Sequence, residues 1–233
     1  MTRRIAYLEN GKSPDKESGL PELMEKAGFT LDYFWASQME FPDSLDNYSG
    51  IFLSGSAYGA YEDVNFIHKE HDFIRNASET DIPMLGVCFG SQILASALCG
   101  KDQVFRRSNC HVGFLNLDKA EAAKNDLLMR GVSDKFRLLI WHNDEAKSDH
   151  PDMNILATTD IAPNQIWRYR DKKIWGIQGH PEVNNKNAVK WLTPVRDYME
   201  KDGMDIDKLA PQIDENIVGK TLINNFLAVC HDQ

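Results

Sequence analysis

Three features of the sequence predict an α/β fold, a three-layer sandwich in which helices flank a mixed, mostly parallel central sheet. Short apolar runs alternate with helix-length segments through the first half, the order expected of parallel strands joined by crossover helices. Within it, Pro83-Met84-Leu85 runs through Gly86-Val87-Cys88-Phe89-Gly90 into a helical segment, so that strand, sharp turn and helix follow one another with a thiol at the apex. The second half is richer in strands, which predicts a small antiparallel extension from the middle of the chain.

Ile5-Ala6-Tyr7-Leu8 reads as the first strand, and residues 10–15, with Asn10, Gly11, Ser13 and Pro14, as a loop. Leu20, Leu23, Met24 and Ala27 recur at helical spacing, and Gly28 closes that helix. Residues 29–35 and 50–54 are the next strands, the second opening into the loop Ser54-Gly55-Ser56-Ala57-Tyr58-Gly59. Phe66, Ile67, Phe73, Ile74 and Ala77 mark a helix that runs to the loop before Pro83, and Ile93, Leu94, Ala97 and Leu98 mark the helix after the thiol. Beyond it, residues 104–106, 112–117, 136–141, 154–158, 165–169 and 173–178 read as short strands, and residues 125–130 as a short helix. The helical segment over 188–199 contains Pro194, which kinks a helix or starts a new one. The last helix, over 218–229, carries Leu222, Ile223, Phe226 and Leu227 on its apolar face.

A chain of 233 residues, 42% of them hydrophobic, can bury a stable core without staples, and one domain over residues 1–233 is expected. The net charge of −9 argues against non-specific nucleic-acid binding and against an anionic membrane surface. No apolar run approaches the roughly 18 residues that a bilayer demands. Thr2-Arg3-Arg4 leads into only a few apolar residues before Glu9-Asn10, which does not make a signal peptide. Cys88, Cys99, Cys110 and Cys230 form no Cys-x-x-Cys pair, so neither a zinc ribbon nor a thioredoxin-type site is indicated, and a cytoplasmic protein with reduced thiols is expected.

Gly86-Val87-Cys88-Phe89-Gly90 has two readings: a cysteine nucleophile elbow, where small neighbours leave room for a strained turn, or a Cys buried at a strand–helix turn. An attacking thiol must be a thiolate, and two features of the sequence would favour that form: the helix that begins just after Cys88, and a histidine. Among seven histidines, His180 ends the apolar strand Ile174-Trp175-Gly176-Ile177-Gln178 in Gly179-His180-Pro181-Glu182. Proline keeps the residue before it extended, so His180 and Glu182 would project to the same side and the carboxylate could orient the imidazole. A His-Pro turn at a strand end also needs no catalytic role. An oxyanion would be held by the N–H of Phe89 and by the turn Ser54-Gly55-Ser56, where Gly55 lets the backbone come close.

Gly86-Val87-Cys88-Phe89-Gly90-Ser91-Gln92 together with Gly176-Ile177-Gln178-Gly179-His180-Pro181-Glu182 resembles the class I (triad) glutamine amidotransferases, a flavodoxin-like α/β family. The resemblance implies a triad of Cys88, His180 and Glu182, an oxyanion hole of Ser56 and Phe89, and substrate contacts from Gly55 and Gln92. Ser54-Gly55-Ser56-Ala57 matches the family's Ser-Gly-Gly-Pro only in part. Trp141-His142-Asn143-Asp144 matches a family segment often reading Ser-His-Gly-Asp, which implies that Trp141, His142 and Asn143 hold the substrate's amino-acid end, with Asn in place of Gly. His142 can also be a structural histidine at a strand end. Trp141 before His142, the opening segment 8–14 and the helices after Glu182 are similar to small stand-alone members. The implied substrate is glutamine or another γ-glutamyl compound, with no cofactor and no metal. Ammonia would pass to a separate acceptor synthetase chain, or the chain would act alone as a γ-glutamyl peptidase or amidase. A non-catalytic binding module on the same fold is the third reading.

His111 reads as structural, and Cys99, Cys110 and Cys230 as inert. His68 and His71, with Glu70 and Asp72, suggest either a metal-binding face or, more simply, a solvated helix face. Trp35, Trp167, Trp175 and Trp191 read as packing residues.

Overall fold

The computed structural model describes residues 3–11 and 19–232. The first half alternates as the sequence predicts. The strands are β1 (Arg3–Glu9), β2 (Phe29–Trp35), β3 (Gly50–Leu53) and β4 (Met84–Val87), and the helices are α1 (Leu20–Lys26), α2 (Asn65–Ser78) and α3 (Phe89–Cys99). The second half supplies β5 (Val104–Lys119), β6 (Lys135–Ala146), β7 (Met153–Thr159), β8 (Ala162–Tyr169) and β9 (Ile174–Ile177), then α4 (Ala188–Leu192), α5 (Arg196–Lys201), α6 (Ile206–Leu209) and α7 (Ile217–His231). The loop expected over 10–15 falls largely outside the described residues, as does part of the family-like segment 8–14.

One nine-stranded sheet has the order β2-β1-β3-β4-β9-β8-β7-β5-β6. From β2 to β9 the pairings are parallel; from β9 to β6 they are antiparallel. The antiparallel part is therefore broader than the small extension anticipated. Side chains alternate across the parallel strands, since successive Cβ atoms leave opposite faces. Ile5, Tyr7, Phe52, Leu85, Trp175 and Ile177 pack against α1 and α7 on one face. Ala6, Leu8, Ile51, Leu53, Met84 and Ile174 pack against α2 and α3 on the other. A third cluster, with Phe114, Leu139, Val183, Leu192, Met199, Ile206 and Leu209, seats the α4–α6 segment as a cover on β6.

Three local expectations are corrected. Residues 104–106 and 112–117 are one strand, with a register shift between Arg106 and His111. Its polar middle shows no apolar alternation because it is held by charge: Arg107 pairs with buried Glu145, and Arg106 approaches Asp144 at 3.6 Å. Residues 125–130 form turns, not a helix. Buried Asp126 accepts the Leu128 N–H at 2.9 Å and the Trp175 indole N–H at 3.2 Å, giving the backbone an alternative to helix. The expected solvated face of α2 is split, with His68 and Asp72 outward and Glu70 and His71 buried. Pro194 does divide its segment, into α4, a 3-10 turn and α5. No helix among the described residues is long and apolar enough to cross a membrane.

Gly86 and Gly90 let β4, α3 and β3 converge. A Cβ on Gly86 would lie 2.2 Å from Gly90 O, and one on Gly90 would lie 2.2 Å from Leu53 O. Because both obstacles are backbone, Gly90→Ala is expected to cost ~2 kcal/mol or more in denaturant unfolding followed by circular dichroism. An exposed change on α2, Asn76→Ala, is expected to stay within ~0.5 kcal/mol of the parent.

Candidate active site

Cys88 stands at the carboxyl end of β4, where open α/β sheets place their ligand crevices. Its backbone has φ 53 and ψ −110, a strained conformation for a residue with a Cβ, worth ~1–3 kcal/mol. The turn is secured on both sides: Cys88 N–H donates to Ile177 O at 2.8 Å, and Gln92 N–H donates to Cys88 O at 3.2 Å. The thiol is half-buried, unlike Cys230, and its Sγ lies 4.0 Å from Trp141 O. All four cysteines are free; burial pushes the Cys99 and Cys110 thiols up to about 12 and raises that of Cys230 further, which fits inert roles for these three.

The Ser54-Gly55-Ser56 turn adjoins the thiol, for a Cβ on Gly55 would meet Cys88 Cβ at 3.7 Å. Ser54 Oγ donates to Glu9 Oε1 at 2.8 Å and accepts the Asn10 N–H at 2.9 Å, anchoring the start of the turn to the end of β1. Among the described residues no acceptor takes the N–H of Phe89 or of Ser56. Behind this turn burial pushes the Glu70 carboxyl up to about 8, with Asn10 opposing.

His180 follows β9, the parallel neighbour of β4, paired in the register Gly86↔Gly176 and Val87↔Ile177. Its N–H donates to Leu139 O at 2.8 Å, which brings β6 back across the end of β9. His180 Nδ1 lies 2.8 Å from Glu182 Oε1, so the two side chains share a side as the His-Pro geometry predicts. A carboxylate only accepts, so neutral His180 carries its proton on Nδ1 and presents Nε2 as a bare lone pair. Nε2 is buried without a hydrogen bond, as is Glu182 Oε2. Burial works against the imidazolium, but Glu182 and then Cys88 outweigh it and hold His180 well above its ordinary value. By geometry Nε2 forms no hydrogen bond with the nearby Cys88 thiol, and catalytic bonds of this kind often tighten only when substrate binds.

Residues 141–144 divide by strand alternation. Trp141 and Asn143 face the helical cover, where Trp141 Nε1 and Asn143 Nδ2 both donate to Asp202 Oδ2, at 3.1 and 3.3 Å. His142 faces inward and is buried, with both ring nitrogens engaged. Nδ1 meets Asp144 O at 2.9 Å, so it carries the proton, and Nε2 accepts from His111 Nδ1 at 3.2 Å. Burial lowers His142 to about 3 and His111 to about 4. Gln92 Nε2 donates to the same Asp144 carbonyl at 2.9 Å and to Gln178 Oε1 at 3.3 Å. Gln92 and His142 therefore brace one carbonyl from two sides.

Trp191, read from sequence as packing, lies with its ring 4.8 Å from that of His180 and edge-on to Trp141 at 6.0 Å. Neither it nor Asp202 carries a local signal, because both reach the site from the cover. His68 pairs with Asp63 at 2.6 Å, and no group of three metal-ligating side chains occurs among the described residues.

A cysteine at a strained strand–helix elbow beside a histidine–carboxylate pair just past the end of the adjacent parallel strand defines a cysteine-centred α/β architecture. The chain belongs to the class I glutamine amidotransferase family, whose model, described as glutamine amidotransferase class-I, matches residues 17–193. It is 28% identical over 165 residues to γ-glutamyl peptidase 4 of Arabidopsis thaliana, covering 70% of this chain and 65% of the plant protein. It is 29% identical over 156 residues to one of the subunits of the glutamine-hydrolysing GMP synthase of Sulfurisphaera tokodaii, covering 67% of this chain and 78% of that relative. Its fold superposes on a glutamine amidotransferase of Thermotoga maritima with a TM-score of 0.85, at 25% identity over all of both chains.

The depressed histidines contribute stability above pH 6.5 that is lost as pH falls toward 4, since the unfolded chain then binds protons they refuse. Relative to His111→Phe, the parent protein is therefore expected to lose stability as pH is lowered through this window in urea titrations. Histidine-resolved NMR is expected to find His180 protonated well above 6.5 while His111 and His142 stay neutral to about pH 4.

Proposed function

We propose that this chain hydrolyses the amide of glutamine through Cys88, His180 and Glu182, by way of a γ-glutamyl thioester. The observation that carries the reading is the buried Nε2 of His180, left without a hydrogen-bond partner near the Cys88 thiol while Nδ1 is tied to Glu182, in an imidazole held well above its ordinary value. The Cys88 thiolate attacks the carboxamide carbon, and the N–H groups of Phe89 and Ser56 take up the charge on the tetrahedral oxygen. The His180 imidazolium gives its proton to the departing nitrogen, so ammonia leaves and the thioester remains. His180 then removes a proton from water as the water attacks the thioester; glutamate departs, and sulfur and imidazolium return to their starting state. Glu182 holds the imidazole in the Nδ1–H form and offsets the imidazolium charge. The Trp141 carbonyl and the Gly55 turn lie against the thiol, while Gln92 and His142 brace the Asp144 carbonyl from within.

The ammonia goes to a separate acceptor chain in this reading, as the subunit name of the Sulfurisphaera relative suggests. A second reading, a stand-alone γ-glutamyl peptidase or amidase, is favoured by one local observation. Asn143, where the family often has Gly, is fastened to Asp202 of the cover by a side-chain bond that a glycine could not make; the likeness to the plant γ-glutamyl peptidase agrees with it.

Release of glutamate and ammonia from glutamine, measured beside a panel of γ-glutamyl amides and peptides, tests both. Cys88→Ala is expected to abolish turnover and the thioester adduct seen by intact-mass spectrometry, and full activity in this variant would sink the mechanism. Glu182→Gln is expected to lower kcat less than removal of the thiol, within the ~100- to 10,000-fold typical of acid–base assistance. A preference for γ-glutamyl peptides over glutamine would put the second reading first.

A further inference from the structure

The Glu182 carboxylate is held by little of its own. Oε1 meets His180, and Oε2 has no hydrogen bond. Its aim must come from its backbone, and that backbone is seated by two asparagines from elsewhere. Asn216 Nδ2 donates to Pro181 O at 2.9 Å and to Val183 O at 2.7 Å, and Asn187 Nδ2 donates to Glu182 O at 2.9 Å. Three successive carbonyls that bracket the carboxylate are thus fixed by two carboxamides. Asn216 is buried at 3% exposure and spends its remaining oxygen on the Gly219 N–H at 2.8 Å, capping α7. Its φ of 46 and ψ of 53 lie in the left-handed region that Asn and Gly tolerate. The helix start presses directly on the segment: a Cβ on Gly219 would come within 2.0 Å of Pro181 O.

We propose that Asn216 and Asn187 are positioning residues for the Glu182–His180 pair, clamping the backbone of 181–183 so that the carboxylate meets Nδ1. This rests on the reading of that pair as orienter and base. Capping alone would ask Asn216 for one acceptor oxygen; two donations to the His-Pro-Glu segment go beyond it.

The test follows the His180 titration midpoint by NMR on histidine-labelled full-length protein, with glutamine and γ-glutamyl amide hydrolysis alongside. Glu182→Gln defines the midpoint without the carboxylate. Asn216→Gly keeps the left-handed backbone and loses only a few tenths of a kcal/mol of capping, while Asn187→Ala removes the third bond at a half-exposed site. Asn225→Ala is the control: Asn225 lies on the same helix and donates to Leu128 O at 2.8 Å and Arg130 O at 2.7 Å, in a different segment. Asn216→Gly is expected to move the midpoint down by about one pH unit toward that of Glu182→Gln. It should lower kcat about tenfold or more with KM little changed, and Asn187→Ala should do the same more weakly. A midpoint unmoved in both variants, or moved as far by Asn225→Ala, overturns the proposal. If Asn216→Gly does not fold, Asn187→Ala against Asn225→Ala decides it. Midpoints that shift as expected in a protein that hydrolyses no γ-glutamyl amide would overturn the functional reading and leave the clamp standing.

Discussion

The left-handed turn at Cys88 is the constraint on which the rest of the site depends. A side chain at φ 53 and ψ −110 is unfavourable and persists only where its surroundings leave no alternative. Here β4 delivers the chain from below, α3 must begin at Phe89, and backbone contacts at Gly86 and Gly90 leave no room to relax the bend. The Cys88 N–H is committed to Ile177 O, so the turn is also stitched to the neighbouring strand. The same bend that strains the thiol's backbone lifts the thiol clear of the sheet and aims the opening of α3 at whatever lies above it.

Around this turn the sheet works as two halves with different duties. The parallel half fixes the thiol and, one strand away, the start of the His-Pro-Glu segment. The antiparallel half carries β6 back over the end of β9, where Leu139 O takes the His180 N–H and the Trp141 carbonyl arrives beside Sγ. The helical cover then closes the other side, with Trp191 against His180 and Asp202 holding Trp141 and Asn143. Each neighbour of the thiol reaches it from a different part of the chain.

How much of this is legible in the sequence follows from where the stabilising partners lie along it. The parallel strands, the elbow and the His180–Glu182 geometry are legible because each is written locally: period-two apolar runs, glycines two apart from a cysteine, a proline after a histidine. The middle of β5 is not, because Arg106 and Arg107 are held in the sheet by charges on β6 and not by an apolar alternation. Residues 125–130 have the pattern of a short helix and form turns instead, because Asp126 serves Trp175 on β9, 49 residues further along the chain. Glu70 and His71 look like solvated charge, yet α2 turns them inward. The two donations of Asn216 to the His-Pro-Glu segment depend on a fold that a single sequence does not spell out.

The pairing of β4 with β9 has a consequence for how such a protein can change. The thiol follows β4 directly, and the histidine comes after the end of β9, the adjacent strand, with its N–H tied to Leu139 O of β6. What lies against the thiol and the histidine from the other side comes from β6 and from α4–α6, a layer with its own small core. The strands that carry the thiol and the histidine and the layer that covers them are thereby packed around different cores. Exchange or redesign of the cover would leave the β4–β9 register as it is, but it would also change what Trp191 of α4 lays against the His180 ring.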